Sequence, residues 1–475
     1  MKFNFLFSLI ILTSFFTSCK KDQADIASNQ AYFGGEIINP NSNAIYIIKS
    51  GATIDTIYLN NNNRFSYKFT DFVPGLYGFF DGREYQNFLI EHNDSLMLRL
   101  NTLDFDESLV FTGKGAKENN FLMEMYLLNE LEDDKILGLG QKTAEEFDSI
   151  YKISRDLKLE KLKRFRLKNE TSALFDEIAE ASINYEYYAH KELYPLANYK
   201  ISELDAFNSL PEDFYSYRES IDYNNEALKE YSPYLSFLRF HFNNLALQNH
   251  FKHSKDSVYD RLDLHYNLDK LKLIDETVTN EEIKNDLLKY VLGQFVNISK
   301  NTEDYDEMLQ SFKSKSTNTK DKEIATNFVI SYKMLKPGNK IPNVKLLNKN
   351  EKEISIYELI KKPTIIYFWT KNNKNQLISS HKRTKELNVK YPEFHIVAIN
   401  VDSISYEEQV NILKHYDVRI ENEYRFKTPK QSRETLSVKP ILKVFILNKK
   451  GEIVNAKANM FNITFEQELL GLLNQ

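Results

Sequence analysis

The sequence predicts a multidomain α+β protein: an antiparallel β-sandwich first, an α-helical domain in the middle and an α/β domain last. Three observations carry this. Between residues 31 and 114, short apolar runs recur about every ten residues with turn residues between them. From 115 to 336 the apolar residues fall at three- and four-residue steps, and Gly and Pro become rare. From 337 to 475, runs typical of buried strands alternate with helical stretches. At 475 residues and 42% hydrophobic content the chain can bury several cores. Its net charge of −5, with acids and bases mixed, gives no electrostatic case for a nucleic-acid partner. A single cysteine, Cys19, excludes an intrachain disulfide and intrachain dithiol chemistry.

The chain begins with a short basic start, Met1-Lys-Phe-Asn, and an apolar stretch from Phe5 to Phe16 that is too short to span a bilayer. Phe16-Thr-Ser-Cys19 resembles a bacterial lipobox, which implies a signal peptide over 1–18 and lipidation (palmitate among the acyl chains) of Cys19. Several acyl chains anchor stably where one does not. The expectation is a lipid-anchored cell-envelope protein on the outer membrane, on its periplasmic or its surface face. Residues 19–30 read as a polar tether.

In 31–114 the runs Ile45–Ile48, Thr53–Leu59, Arg64–Phe69, Phe88–Ile90 and Ser95–Leu100 are expected strands, separated by Asn39–Asn43, Asn60–Asn63, Pro74-Gly75 and His92–Asp94. Asn60–Asn63 reads as a solvated hairpin turn. The pattern resembles the small N-terminal β domain, of unknown function, that precedes thioredoxin-like domains in many envelope lipoproteins. Phe111-Thr-Gly-Lys-Gly115 fits its closing turn.

In 115–336, eight to ten helices are expected. Leu287, Leu288, Val291, Leu292 and Phe295 mark one apolar face behind a Thr279–Glu282 capping box, and Ile150, Ile153 and Leu157 keep the same step. His250 and His253 lie one turn apart but lack further ligands, so no metal site is expected. Tyr185, Tyr187, Tyr188 and Tyr194 around His190 read as helix packing with phenols reaching solvent. The basic run from Lys158 to Lys168 reads as a solvated face.

The last domain, 337–475, opens at Pro337-Gly338. Thr364–Trp369 has the composition of a buried strand, followed by a polar loop and a helical stretch from Gln376 to Leu387. Glu393–Val401 reads as a second buried strand, Ser405–Tyr416 as a helix, Ile441–Leu447 with Glu452–Val454 as a hairpin, and Thr464-Phe-Glu-Gln467 as the cap of a last helix. With the hairpin Ile341–Leu346 and Glu353–Tyr357 in front, this order and the Phe368-Trp369 pair resemble a thioredoxin-like domain of the TlpA/ResA type. The resemblance aligns Asn373 and Gln376 with the two redox cysteines of that family. It also implies a groove near Trp369, Lys439 and Pro440, with Pro440 as the family's cis-proline.

Amide side chains cannot replace a thiolate in disulfide exchange. The expected function is therefore a redox-inactive peptide- or protein-binding, or scaffolding, module with an unknown partner and no cofactor. The alternative is an oxidoreductase-family protein with relocated, non-cysteine enzymatic chemistry, using His381 or His395. Neither Gly113-Lys-Gly115 nor Lys449-Lys-Gly451 forms a phosphate loop.

Overall fold

The computed structural model describes residues 29–198, 200, 202–253, 260–299, 301–418, 421–439 and 441–474. Cys19, the 1–18 leader and Pro440 lie outside the described residues. The protein is mixed α+β, with three sheets and many helices.

Eight strands come first: β1 (Gln30–Ile38), β2 (Ala44–Lys49), β3 (Ala52–Tyr58), β4 (Arg64–Thr70), β5 (Gly75–Phe80), β6 (Tyr85–Ile90), β7 (Ser95–Asn101) and β8 (Val110–Lys114), with the short helix α1 (Phe105–Ser108) before the last. They form two four-stranded sheets, ordered β4-β1-β7-β8 and β3-β2-β5-β6. Alternation explains the packing. In β7, Leu96, Leu98 and Leu100 are buried and the residues between them are not. Between the sheets, Phe33 stacks on Phe88 with ring centroids 4.1 Å apart. Strands β1 and β5 were not expected from the sequence, because each carries glycines that read as breaks. At Gly35 the glycine is required by crowding: a Cβ there would lie 2.3 Å from the Leu98 carbonyl oxygen.

Among the described residues ten α-helices follow: α2 (Ala116–Asp133), α3 (Ile136–Leu139), α4 (Ala144–Lys168), α5 (Ala173–Ala197), α6 (Glu203–Asn208), α7 (Ser232–His253), α8 (Leu264–Thr277), α9 (Glu281–Ile298), α10 (Asp304–Lys315) and α11 (Thr319–Met334). None of the described helices is long and apolar enough to cross a membrane. Leu287, Leu288, Val291, Leu292 and Phe295 are buried as expected. The cap of α9 is Asn280, one residue after the expected Thr279; its side chain accepts from the Glu282 and Ile283 amides. Helix α4 buries Phe147, Tyr151 and Leu162, while Ile150, Ile153 and Leu157 are exposed, so the step marked the helix but not its inner face. Asn119 of α2 both donates to and accepts from the backbone of Leu89, holding this helix against β6.

The last sheet has seven strands in the order β10-β9-β13-β12-β11-β14-β15. These are β9 (Lys345–Leu347), β10 (Glu353–Ser355), β11 (Thr364–Trp369), β12 (His395–Asn400), β13 (Glu423–Phe426), β14 (Val444–Leu447) and β15 (Ile453–Ala458). The helices are α12 (Lys374–Lys390), α13 (Tyr406–His415), α14 (Pro429–Thr435) and α15 (Phe465–Leu473). Strand β11 runs parallel to β12 and antiparallel to β14, which pairs antiparallel with β15. Strand, helix, strand, helix, then an antiparallel hairpin and a helix, with spatial order β12-β11-β14-β15, is the thioredoxin arrangement. Strand β13 with α14 extends it beyond the expected order. Apolar cores lie on both faces of the sheet, which is why β11 is buried at every residue.

Candidate functional site

The site begins where β11 ends. The loop Thr370–Asn373 is clamped by Asp402, just beyond β12: Thr370 Oγ1 donates to Asp402 Oδ1 at 2.8 Å and the Lys371 amide to Oδ2 at 2.7 Å. Asn373 is the N-cap of α12, and its Oδ1 accepts the Gln376 amide at 3.0 Å. Gln376, 6% exposed, donates from Nε2 to the Phe368 carbonyl at 2.8 Å and to Ser380 Oγ at 3.1 Å. Both positions aligned with redox cysteines are thus held by amides built into the start of the helix. A carboxamide offers hydrogen bonds but no nucleophile at neutral pH.

Trp369 lines no groove. It is wholly buried, because its indole finds an acceptor in the interior: Nε1 donates to Glu423 Oε2 at 2.9 Å. Glu423 also lies 2.9 Å from His381 Nε2 and accepts from Gln409 Nε2 at 3.2 Å. His381 Nδ1 lies 2.7 Å from the Leu377 carbonyl, which can only accept, so that nitrogen carries a proton. Glu423, in turn, accepts from two neutral donors. Glu423 and His381 thus form a buried hydrogen-bonded pair, with a cavity of about 60 Å³ beside it between Tyr367, Thr384 and Asn422. Burial, followed by the nearby Glu423 charge, pushes the Tyr367 phenol well above its usual range.

His381 and His395, the histidines considered for relocated chemistry, are both in structural bonds; His395 Nδ1 lies 2.8 Å from the Leu359 carbonyl. Lys439 is exposed. His250 Nδ1 stands 4.0 Å from Asp263 Oδ1; the His253 side chain is outside the described residues. Tyr187 and Tyr194 do not reach solvent but bond inward, to Asp148 Oδ1 and the Lys142 carbonyl. Lys158, in the basic run, is also buried.

The open surface at the loop is a cleft of about 750 Å³ between two parts of the fold. One wall is Lys371, Asn372, the α13 face that carries Asn411 and His415, and Tyr416 just after that helix; the other is the turns at Asn41–Asn43 and Leu59–Asn63. Gly82 brings the walls together. Its φ is +100°, and a Cβ there would meet Ser42 Cβ at 2.9 Å and the Asn372 carbonyl at 3.1 Å. Lys371 Nζ is held by Glu408 Oε1 at 2.8 Å. Sequence reasoning missed Asp402, Glu408, Gln409 and Glu423. The signal that existed for one of them is that a buried tryptophan needs an acceptor, which calls for such a group without locating it.

No family model matches the sequence, and no curated protein matches it. Among solved structures the chain is similar to a thioredoxin-like protein from Bacteroides caccae, at 12% identity and a TM-score of 0.32, over 60% of this chain and 93% of that one. It is also similar to the thioredoxin domain of a thiol-disulfide oxidoreductase from Bacteroides vulgatus, at 12% identity and a TM-score of 0.24, over 30% of this chain and 96% of that domain. At these scores the strand order, and not the likeness, identifies the C-terminal fold.

Proposed function

We propose that this is a lipid-anchored cell-envelope protein, held in the outer membrane through Cys19, whose redox-inactive thioredoxin-like domain binds an extended peptide or a segment of a partner protein. In this reading the units are a 19–30 tether, a sandwich over 31–114, a helical domain over 115–336 and the thioredoxin-like domain over 337–475. The observation that carries it is the cleft at the degenerate loop. Its rim holds Asn41, Asn43, Asn60, Asn63, Asn372 and Asn411, whose amides carry the donor and acceptor types of a peptide bond; Asn41 is held by Asp81 Oδ2 and Asn60 by the Asn62 and Arg64 amides. Tyr416 and Ile412 add apolar surface between them. The Asn60–Asn63 turn, expected to be merely solvated, is part of this wall.

The test is a fluorescence-polarisation screen of a random peptide library against the full-length protein. The substitutions Asn411→Ala and Tyr416→Ala should weaken any peptide that binds. Peptides bound equally well by both variants place the binding surface elsewhere. Insulin reduction should be absent; turnover would remove the redox-inactive reading.

A further inference from the structure

Three metal-ligating side chains meet where α2 ends beside α5. Glu186 and His190 lie one turn apart on α5 and share a face. Asp133 is the last residue of α2. One ligand atom from each falls within 4.8 Å of the other two. His190 is 1% exposed, its Nε2 lies 2.8 Å from Asp133 Oδ1, and the Tyr151 ring stacks on the imidazole at 4.2 Å. The Asp133 side chain is 61% exposed, which leaves a path from solvent.

The protein supplies too little positive charge here. Asp133, Glu132 and Glu186 bring three carboxylates, and Lys158 is the cation that faces them. Lys158 is already engaged, with Nζ at 2.7 Å from Glu132 Oε1 and 2.7 Å from Asn129 Oδ1. Glu186 is half-buried and has no hydrogen-bond or ion-pair partner among the described residues. A carboxylate partly withdrawn from water and without a partner carries a desolvation cost.

We propose that Asp133, Glu186 and His190 bind one divalent transition-metal ion of the zinc class. A ring nitrogen in the donor set disfavours calcium and magnesium, which take oxygen ligands. Three protein ligands leave a coordination position for water. The ion takes the place of the proton between His190 Nε2 and Asp133 Oδ1. His190 Nδ1 has no partner, so the ring proton can sit there without breaking a bond. The ion would tie α2, which covers the sandwich, to α5 in the helical core.

The experiment titrates zinc chloride into the full-length chain, stripped with chelator and dialysed, using calorimetry and thermal unfolding. One zinc per chain and a raised Tm are expected, with no heat from calcium chloride. Asp133→Asn and Glu186→Gln should each weaken binding about tenfold or more; His250→Ala, a control for incidental imidazole binding, should not. Asp133 is exposed, so Asp133→Asn keeps the fold, and circular dichroism verifies this for both variants. Unchanged zinc binding in both variants, or no saturable binding up to about 0.1 mM zinc, overturns the assignment.

Discussion

Lys443→Met should change the sign of its effect on stability between pH 10 and pH 6. Lys443 is 6% exposed, with Nζ donating to the carbonyls of Leu436 at 3.3 Å and Ser437 at 3.0 Å and lying 5.2 Å from the ring centres of Tyr332 and Phe445. Burial, reinforced by the charge of Lys457, lowers its pKa from 10.5 to about 7. The folded state therefore favours the neutral amine. Its cost is absent above the unfolded value, grows as pH falls below 10.5 and is complete below about 7. The two values differ by 3.5 (10.5 − 7), which at about 1.36 kcal/mol per pH unit amounts to roughly 5 kcal/mol. Methionine removes that cost but also two hydrogen bonds, each worth about 1 kcal/mol. At pH 10, half a unit below 10.5, about 0.8 kcal/mol of the cost is already present, so the variant should be less stable than the parent by about 1 kcal/mol there and more stable by about 3 kcal/mol at pH 6. Urea unfolding at pH 6, 8 and 10 measures this. Trp369, the single tryptophan, reports from the sheet whose strand β14 begins one residue after Lys443. Titrating groups that do not interact with Lys443 cancel in the difference between the two proteins; Lys457, whose charge bears on Lys443, is the group to allow for. A difference that stays constant with pH would refute the buried-amine reasoning.

Three further outcomes are expected. Glu423→Gln removes the buried carboxylate that accepts from Trp369 and Gln409 and bonds His381, and should cost about 1–3 kcal/mol; urea unfolding checks it, and a loss below about 0.5 kcal/mol would show that these bonds do not hold the interior. The double substitution Asn373→Cys with Gln376→Cys should form an intrachain disulfide at the start of α12. Reduced, its first thiol should titrate below about 8.5 at the helix N-terminus, as alkylation rate against pH would show; no disulfide would mean that these are not the thioredoxin cysteine positions. Cys19→Ser should release the protein from membranes; a variant still bound after a high-salt wash would end the lipid-anchor reading.

Legibility in the sequence followed the physics of each element. Strands β11 and β12 were readable because both faces are buried, which selects unbroken runs of apolar and β-branched residues. Strand β13, Glu-Tyr-Arg-Phe, was not, because its buried Glu423 and Arg425 break any apolar pattern. These residues serve the interior through partners far along the chain: Glu423 holds Trp369 and His381, and the Arg425 guanidinium donates to Glu351 Oε2 at 2.6 Å and the Ile404 carbonyl at 2.7 Å. No local spacing announces a partner 42 or 54 residues away. The same gap explains Trp369, read as a groove residue when its acceptor was unknown.

The asparagine-rich turns failed for a different reason. Asn63, with φ of +56°, fits a turn that few side chains tolerate, so its local role already explained its presence. A turn that projects from a sheet edge also carries its amide groups outward, and here the last domain lies opposite. Turn formation and cleft lining draw on the same short polar side chain, so neither role leaves a separate mark in the sequence. The loop after β11 is the converse case. Its amides stand where the resemblance puts thiols, while the clamp from Asp402 and the buried Glu423 cluster beneath it do not depend on sulfur at all. The clamp and the cluster bond through oxygen and nitrogen groups alone, so amides at Asn373 and Gln376 are compatible with the fold and with one wall of the cleft.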